Sequence, residues 1–282
     1  MGRTKTPEGP EVQAPPEGGQ ETAAQGVTRR DVLSRLATIG VAAGALGVGG
    51  SALISYRDEA AAATTTKDAK HAWVMVIDLR LCDGCKACTM ACQQRHDLPL
   101  EQTWIKVYEM PDAEGGTYHM PRPCMMCENP PCEVVCPVGA TFRNEEGLVL
   151  IDQNVCIGCR TCMAACPFEA RYFNWSEPPQ PKTRLPFPPS PEMPVPQQIG
   201  TVGQCVFCAD RLPNGELPAC VAGCAMGVLY IGDLVTDVAT NSLGDTVQLS
   251  KFLQENDAVR FKEELGTNPR VYYILGHGQD LG

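Results

Sequence analysis

The residues of this chain that could do chemistry are its sixteen cysteines, which fall into four groups of four. In the third group, Cys156, Cys159, Cys162 and Cys166 precede Pro167 with the spacing C-x₂-C-x₂-C-x₃-C-P. This spacing is typical of [4Fe–4S] ligation, in which three thiolates hold one cluster and the fourth holds another. A tight loop brings three sulfurs together, while the fourth lies on the short helix that follows and points away. One such run therefore predicts a second cluster and a second run that completes it.

The other twelve cysteines repeat this arrangement with small changes. The first group has the spacing C-x₂-C-x₂-C-x₃-C, the second has C-x₂-C-x₄-C-x₃-C-P, and the fourth has C-x₂-C-x₁₁-C-x₃-C. We therefore predict that all sixteen cysteines bind iron, in four [4Fe–4S] clusters. The twelve are Cys82, Cys85, Cys88, Cys92, Cys124, Cys127, Cys132, Cys136, Cys205, Cys208, Cys220 and Cys224.

Other uses of cysteine fit this pattern less well. Disulfides are disfavoured because neighbours at x₂ spacing cannot all be bridged without strain. Structural zinc uses C-x₂-C pairs, but a zinc site needs only two of them, whereas the first and third groups each place four cysteines within eleven residues. A zinc-stabilised adaptor without a redox role is the competing interpretation from another class. No Cys-x-x-Cys-His motif occurs in the sequence, so covalent haem is not indicated.

Charge and motifs exclude several classes of function. The formal net charge is −10, and thiolate-bound clusters add negative charge, so nucleic acid is not expected as a partner. The sequence has no nucleophile–base set, phosphate-binding loop or dinucleotide fingerprint, so the chain is not predicted to be an enzyme on its own. An iron bound only by thiolate and cluster sulfide offers no position to a small-molecule substrate. Such clusters accept and release single electrons.

The first 63 residues predict a leader and an export signal. Residues 1–27 are rich in Pro, Gly, Glu and Gln and predict a disordered leader. Within residues 28–63, Arg29 and Arg30 precede a weakly apolar run, which resembles a twin-arginine (Tat) signal. Small residues around Ala60 favour cleavage over a retained anchor. Either form predicts a protein in the periplasm or at the outer face of the cytoplasmic membrane, exported after its clusters are built in the reducing cytoplasm.

The elements that must position the first and third groups are duplicated. Aligning residues 74–92 with 148–166 superimposes all four cysteines and places Gly84 on Gly158. This repeat predicts a strand, a cluster loop and a short helix in each copy. Strands are predicted at Trp73–Asp78, Trp104–Tyr108, Gly147–Asp152 and Val228–Ile231.

Two further stretches contain no cysteine. The insertion at 177–203 is rich in proline and predicts an extended segment, either a surface connector or a strap across a partner. Residues 241–282 are predicted to form a C-terminal docking extension. Within it, the pattern predicts helices over 247–254 and 258–265 and a strand over 271–274.

Taken together, these features resemble the four-cluster iron–sulfur B subunit of the dimethyl sulfoxide reductase and polysulfide reductase family of molybdopterin oxidoreductases. The resemblance covers residues 71–275 and rests on the four cysteine groups and on the segments Pro121–Ala140, Arg171–Trp175 and Leu217–Cys220. It implies an α+β fold of two interlocked bacterial-ferredoxin-like 2[4Fe–4S] modules. These modules are expected within residues 71–240, with the inner module at 115–175.

The resemblance also implies how the cysteines are shared. It joins the first group with the fourth and the second with the third, and each cluster takes three cysteines from one group and one from the other. Proline follows the fourth cysteine only in the second and third groups, at Pro137 and Pro167, which marks those groups as one unit. The implied ligand sets are set I (Cys82, Cys85, Cys88, Cys224), set II (Cys92, Cys205, Cys208, Cys220), set III (Cys124, Cys127, Cys132, Cys166) and set IV (Cys136, Cys156, Cys159, Cys162).

The function implied by the resemblance is electron transfer within an exported, membrane-associated complex. Electrons are expected to pass between a molybdopterin catalytic subunit and a quinone-reactive membrane subunit. The alternative within the same chemistry is the equivalent component of a periplasmic hydrogenase, a nitrite reductase system or a sulfur-metabolism transmembrane complex. Lys86 and Arg160 lie inside cluster loops, where each is either a solvated surface charge, the more common case, or a cation that raises a reduction potential. The four histidines show no metal-ligand spacing.

Overall fold

A computed structural model describes residues 70–112, 115–177 and 188–278. The predicted leader and the twin-arginine segment lie outside these ranges, and so do residues 178–187 in the first half of the proline-rich insertion. Within the described ranges, no helix combines the length and the apolar character that a membrane crossing requires.

Short strands and short helices alternate along the described chain, which confirms the mixed α+β composition. The strands are β1 (Trp73–Asp78), β2 (Lys106–Pro111), β3 (Thr117–Arg122), β4 (Thr141–Arg143), β5 (Val149–Ile151), β6 (Arg171–Phe173), β7 (Val202–Gln204), β8 (Leu229–Asp233), β9 (Val238–Thr240), β10 (Thr246–Gln248), β11 (Val259–Arg260) and β12 (Val271–Ile274). The α-helices are α1 (Ala87–His96), α2 (Pro131–Val134), α3 (Thr161–Ala164), α4 (Ala219–Ala222) and α5 (Leu249–Glu255). Single 3₁₀ turns lie at Leu79–Leu81, Leu212–Asn214 and Glu263–Leu265.

The main sheet has six strands in the order β10-β9-β8-β1-β12-β11. Strand β1 lies inside the sheet, antiparallel to β8 and parallel to β12. Met75 of β1 pairs with Ile231 on one side and with Val271 on the other. The sheet therefore joins one strand that precedes the first cysteine group, β1, to five strands that follow the last.

Strand β1 is buried on both faces, which accounts for its nearly unbroken apolar sequence. Met75 and Ile77 belong to the large core, which also contains buried cysteines from all four groups. Val74 and Val76 belong to a smaller core on the opposite face, which Leu249 of α5 helps to close. The cysteines thus lie in the same core as the large apolar side chains.

Three two-stranded sheets, β2–β3, β4–β5 and β6–β7, flank the cysteine loops. Strand β4 pairs with β5 from Thr141 opposite Ile151 to Arg143 opposite Val149. Gly147, with a φ of 74°, lies in the turn between them. Strand β5 leads into the third cysteine group, and β6 leaves that group to pair with β7. The loop that carries this group is therefore held at both ends by hydrogen-bonded strands.

Most of the predicted strands are confirmed. Strands β1 and β12 have the predicted bounds, and β5 and β8 overlap the predicted stretches. The stretch predicted as a strand from Trp104 onwards pairs only from Lys106. Trp104 itself is buried in the large core.

The helix predicted over 258–265 is wrong. Val259 and Arg260 form β11, which pairs antiparallel with β12 at the edge of the main sheet. Lys262 then has a left-handed backbone with a φ of 55°, which no right-handed helix can contain. Helix propensity is weak, and hydrogen bonds to the sheet edge outweigh it here.

Both cysteine-free stretches pack on the domain in their described parts. Residues 246–274 supply β10, β11 and β12, and the helix predicted over 247–254 forms as α5. Near the end of the proline-rich insertion, Met193 and Val195 are buried. Docking of either stretch on a partner stays a prediction.

Candidate metal centres

All sixteen cysteines lie within the described ranges, and each is a free thiol. Cys85 and Cys159 are exposed, whereas the other fourteen are partly or fully buried. Burial of so many thiols in one core places them away from water but close to one another.

The four cysteines of set IV surround one cavity. Cys136, the last cysteine of the second group, lines it together with Cys156, Cys159 and Cys162 of the third group. The cavity encloses about 310 Å³, including its open mouth. Its other lining residues are mostly apolar and include one from each of β4, β5 and β7, together with Arg160 from the loop of the third group. The β4–β5 hairpin turns the chain back, so the end of one cysteine group meets the start of the next.

Set III has the same arrangement. Cys124, Cys127, Cys132 and Cys166 line a second cavity, which encloses about 330 Å³ with its mouth included. Its walls are also mostly apolar, but the guanidinium-bearing side chain of Arg171 is among them. Each of these two cavities takes three cysteines from one group and one from the other.

The thiols of set I are neighbours as well. Burial, and then the nearby thiols of Cys224 and Cys82, raise the pKa of Cys88 to about 12. Burial is also the main cause that raises the pKa of Cys82, and the thiols of Cys224 and Cys85 add to it. The structure thus brings Cys224, from the last group, to the cysteines of the first group.

Set II is the most deeply buried of the four sets. Burial, and then the thiols of Cys205, Cys220 and Cys208, raise the pKa of Cys92 well above its ordinary value. All four of these cysteines are buried. Cys92 follows Cys88 by one turn on α1, and α1 packs against α4, which carries Cys220. The contact between these two helices therefore brings the first and fourth groups together.

The duplicated cluster loops have matching backbones. Gly84 and Gly158 have φ values of 75° and 68°, and two residues later Lys86 and Arg160 have φ values of 60° and 63°. A helix begins directly after each left-handed residue. Because two left-handed residues turn the chain sharply, each loop wraps around its own cysteines.

Hydrogen-bond donors point at several sulfurs. The Phe207 N–H donates to Cys205 Sγ at 3.5 Å, and the Ala219 N–H donates to Cys208 Sγ at 3.4 Å. Donors of this kind favour the thiolate, which is the form that binds iron. The cysteine loops are therefore built to hold negatively charged sulfur once a metal centre supplies the compensating charge.

The donor set fits a multi-atom iron–sulfur cluster. Within the described ranges, no three His, Cys, Asp or Glu side chains are placed to hold one metal ion. A single zinc ion draws its four sulfurs to about 3.8 Å from one another. Four thiols line each of the two cavities among mostly apolar side chains, which suits a cluster that takes one thiolate on each of its four irons. When bound, an all-thiolate [4Fe–4S] cluster supplies single-electron transfer.

Comparison with known proteins adds independent observations. Residues 116–187 match the family of 4Fe-4S dicluster domains. The B subunit of selenate reductase from Mesobacillus selenatarsenatis is 40% identical over 219 residues, which cover 72% of this chain and 71% of the relative. The B subunit of tetrathionate reductase from Salmonella typhimurium is 35% identical over 213 residues, which cover 73% of each chain. The iron-sulfur cluster-binding subunit of menaquinone reductase from Nitratidesulfovibrio vulgaris is 37% identical over 232 residues, covering 74% of this chain and 90% of the relative.

The chain belongs to the iron–sulfur B subunits of the dimethyl sulfoxide reductase family. The family resemblance drawn from the cysteine groups is thereby confirmed. A B subunit transfers electrons within a reductase complex and is not its catalytic subunit. The assignment of individual cysteines to sets I–IV stays a prediction, which the grouping of the thiols favours.

Three polar residues of this B subunit lie near the cysteines and were missed by the sequence analysis. His96 is buried on α1, with its Nε2 3.4 Å from Cys208 Sγ. Burial is the main cause that lowers the pKa of His96 to about 3, so the imidazole is neutral. Arg171 and Thr141 are buried where sets III and IV meet. Of the three, only His96 could have been found from the sequence, because it follows Cys92 by one helical turn and therefore lies on the same face of the predicted helix.

The two cations that the sequence singled out are both exposed in the B subunit. Lys86 and Arg160 lie on the surface of their loops. The guanidinium of Arg160 lies over the rings of Trp175 and Phe173, at 4.8 and 5.2 Å from their centroids. Because water screens exposed charges, we expect them to influence a buried cluster weakly.

We expect substitution of the two duplicated glycines to destabilise the protein by different amounts. A Cβ added at Gly158 would lie 2.1 Å from the backbone oxygen of Gly200, whereas one at Gly84 would lie 2.3 Å from the ring of His119. Both substitutions cost about 1–2 kcal/mol for the left-handed backbone. The Gly158→Ala overlap is with backbone and adds an overpacking cost of about 1–3 kcal/mol. The His119 ring can rotate away, so Gly84→Ala serves as the matched comparison.

We expect Gly158→Ala to lower the temperature at which the visible absorption is lost by more than Gly84→Ala does, with both proteins heated without oxygen. Iron content before heating separates a loading defect from a stability defect. Equal losses in the two variants would show that close backbone approach at Gly158 does not matter.

Proposed function

We propose that this chain relays single electrons through four [4Fe–4S] clusters, held by sets I–IV, in an exported and membrane-associated reductase complex. Its partners are a molybdopterin catalytic subunit and a quinone-reactive membrane subunit. Sets I and II form one ferredoxin-like module and sets III and IV form the other, and the two modules interlock. The proposal extends the family assignment to the number of clusters, their ligands and the partners.

The order in which the sets meet carries this proposal. Successive sets are close in space, because, in addition to burial, Cys88 of set I raises the pKa of Cys92 in set II, Cys205 of set II raises that of Cys124 in set III, and Cys162 of set IV raises that of Cys132 in set III. The linking pairs are Cys88 with Cys92, Cys205 with Cys124, and Cys132 with Cys162. Four centres held in this order form a continuous row.

Exposure along the row supports entry at one end and exit at the other. Set I contains the exposed Cys85, and set IV contains the exposed Cys159. All four cysteines of set II are buried. An electron carrier has to bring its terminal centres close to its partners, whereas the inner centres gain from exclusion of water.

The names of the relatives and the leader support the proposed partners. The relatives include the B subunits of reductases and a component of a menaquinone reductase, which makes a catalytic and a quinone-linked partner the natural choice. Arg29 and Arg30 lie outside the described residues, so export rests on their sequence context. Export of the folded chain lets the clusters be built before the thiols meet an oxidising space.

Iron analysis of the anaerobically purified native complex tests the proposal. We expect about 16 Fe for each copy of this chain, four for each cluster, and a broad visible absorption that bleaches with dithionite. Redox titration followed by low-temperature EPR should resolve four one-electron centres. Mass spectrometry of the same preparation should identify a molybdopterin subunit and a membrane subunit. Stoichiometric zinc without iron would end the redox proposal, and about 8 Fe would reduce it to two clusters.

A further inference from the structure

Arg171 is a buried cation without a carboxylate to pair with it. It is the first residue of β6 and is only 6% exposed. Its Nη1 donates to Thr141 Oγ1 at 3.0 Å, whereas its buried Nη2 has no hydrogen-bond partner among the described residues. No ion pair in the described chain includes Arg171. Burial raises the pKa of the nearby Glu133 carboxyl, and Arg143 and then Arg171 oppose that rise. Burying an unpaired charge destabilises the folded protein, so we expect a negatively charged group to lie next to Arg171 in the functional state.

The groups that face Arg171 are cysteine thiols from two sets. Cys132 and Cys124 of set III and Cys162 of set IV are its electrostatic neighbours. Arg171 also lines the cavity of set III, and its partner Thr141 lines the cavity of set IV. The guanidinium therefore lies between the two sets, within reach of sulfur from both.

The internal repeat of this module has the buried cation in only one of its two copies. The segment Cys136–Thr141 and the segment Cys166–Arg171 have the same order, with Cys-Pro first and a strand residue last. Thr141 therefore occupies the position in the first copy that Arg171 occupies in the second. The two equivalent residues meet through the hydrogen bond between them. At the contact between the two halves of the module, the charged Arg171 therefore meets the neutral Thr141 and not a second charge.

We infer that Arg171 raises the reduction potentials of the clusters held by sets III and IV, so that these two centres are reduced more easily than their thiolate ligands alone would allow. The inference rests on the proposed cluster ligation. Reduction adds one negative charge to a cluster, and a fixed buried cation nearby stabilises the added charge. The low-dielectric core strengthens this attraction relative to that of a surface cation such as Arg160.

A redox titration of the complete complex tests the inference, with EPR as the readout. In Arg171→Gln, we expect the equilibrium constant for reduction of two of the four centres to fall by at least about tenfold, which is 59 mV for one electron. Arg171→Lys keeps the positive charge, so the equilibrium constant for reduction of the same two centres should fall by less. Arg160→Gln is the matched control, because Arg160 also lines the cavity of set IV but is exposed to water, and we expect it to change the equilibrium constant by less than about threefold. Cys162→Ser identifies the signals that belong to this module.

The outcomes separate this inference from the proposed function. If wild-type protein contains no iron, the proposed function fails. If Arg171→Gln retains full iron and all four potentials stay as in the wild type, only the role of Arg171 fails. Equal shifts in Arg171→Gln and Arg160→Gln would likewise overturn it, because burial would then be irrelevant. If Arg171→Gln does not load iron, the test uses Thr141→Val instead. This substitution removes the hydrogen bond that orients Arg171, so it should lower the same two reduction potentials, and unchanged potentials would overturn the inference.

Discussion

Replacing Cys220 with alanine should break electron transfer through the chain while leaving most of the iron in place. Cys220 lies in set II, whose cysteines are all buried and are neighbours of both set I and set III. Loss of this ligand should lower the iron content from about 16 to about 12 per chain, because one cluster is lost. The remaining centres then have a gap in the row, so electrons entering at one end no longer reach the other.

Two assays of the variant complex measure this effect. Reduction of the catalytic partner's substrate with a quinol donor should fall to background, whereas reduction with a small dye that reaches the catalytic subunit directly should persist. Ala222→Ser is a suitable control, since Ala222 is an exposed neighbour on the same helix α4. Unchanged iron content together with normal quinol-dependent activity in Cys220→Ala would contradict both the ligand assignment and the row.

Replacing both Arg29 and Arg30 with lysine should abolish export of the chain. The twin-arginine pathway reads this pair, and lysine retains the charge without retaining recognition. The protein should then accumulate in the cytoplasm with its clusters intact, because cluster assembly precedes export. We expect no export by a pathway for unfolded chains, because that would deliver sixteen free thiols to an oxidising compartment.

Cell fractionation of a strain that carries the double variant checks this expectation. Arg35→Lys changes an arginine of the same segment outside the pair and should be exported normally. Iron content of the cytoplasmic protein distinguishes failed export from failed assembly. Export of the double variant at the wild-type level would remove the twin-arginine proposal and leave the cluster assignments untouched.

The sequence by itself determined the kind of chemistry in this protein. Three ligands within seven residues, such as Cys156, Cys159 and Cys162, form a local unit, and their spacing indicates a cluster before any long-range contact is known. The strands β1 and β12 were equally readable, because a strand buried on both faces needs a continuous apolar run. The repeat also predicted that Gly84 and Gly158 would be equivalent, and both have left-handed backbones.

Only the tertiary structure decided which distant residues meet. Cys136 joins the third group because the β4–β5 hairpin returns the chain, and residues 259–260 form a strand because a sheet edge is within reach. Lys86 and Arg160 lie inside cluster loops in the sequence, yet both are exposed, while Arg171 is buried between two sets of thiols. Spacing along the chain encodes contacts within a few residues, whereas burial and charge environment depend on how the whole chain packs.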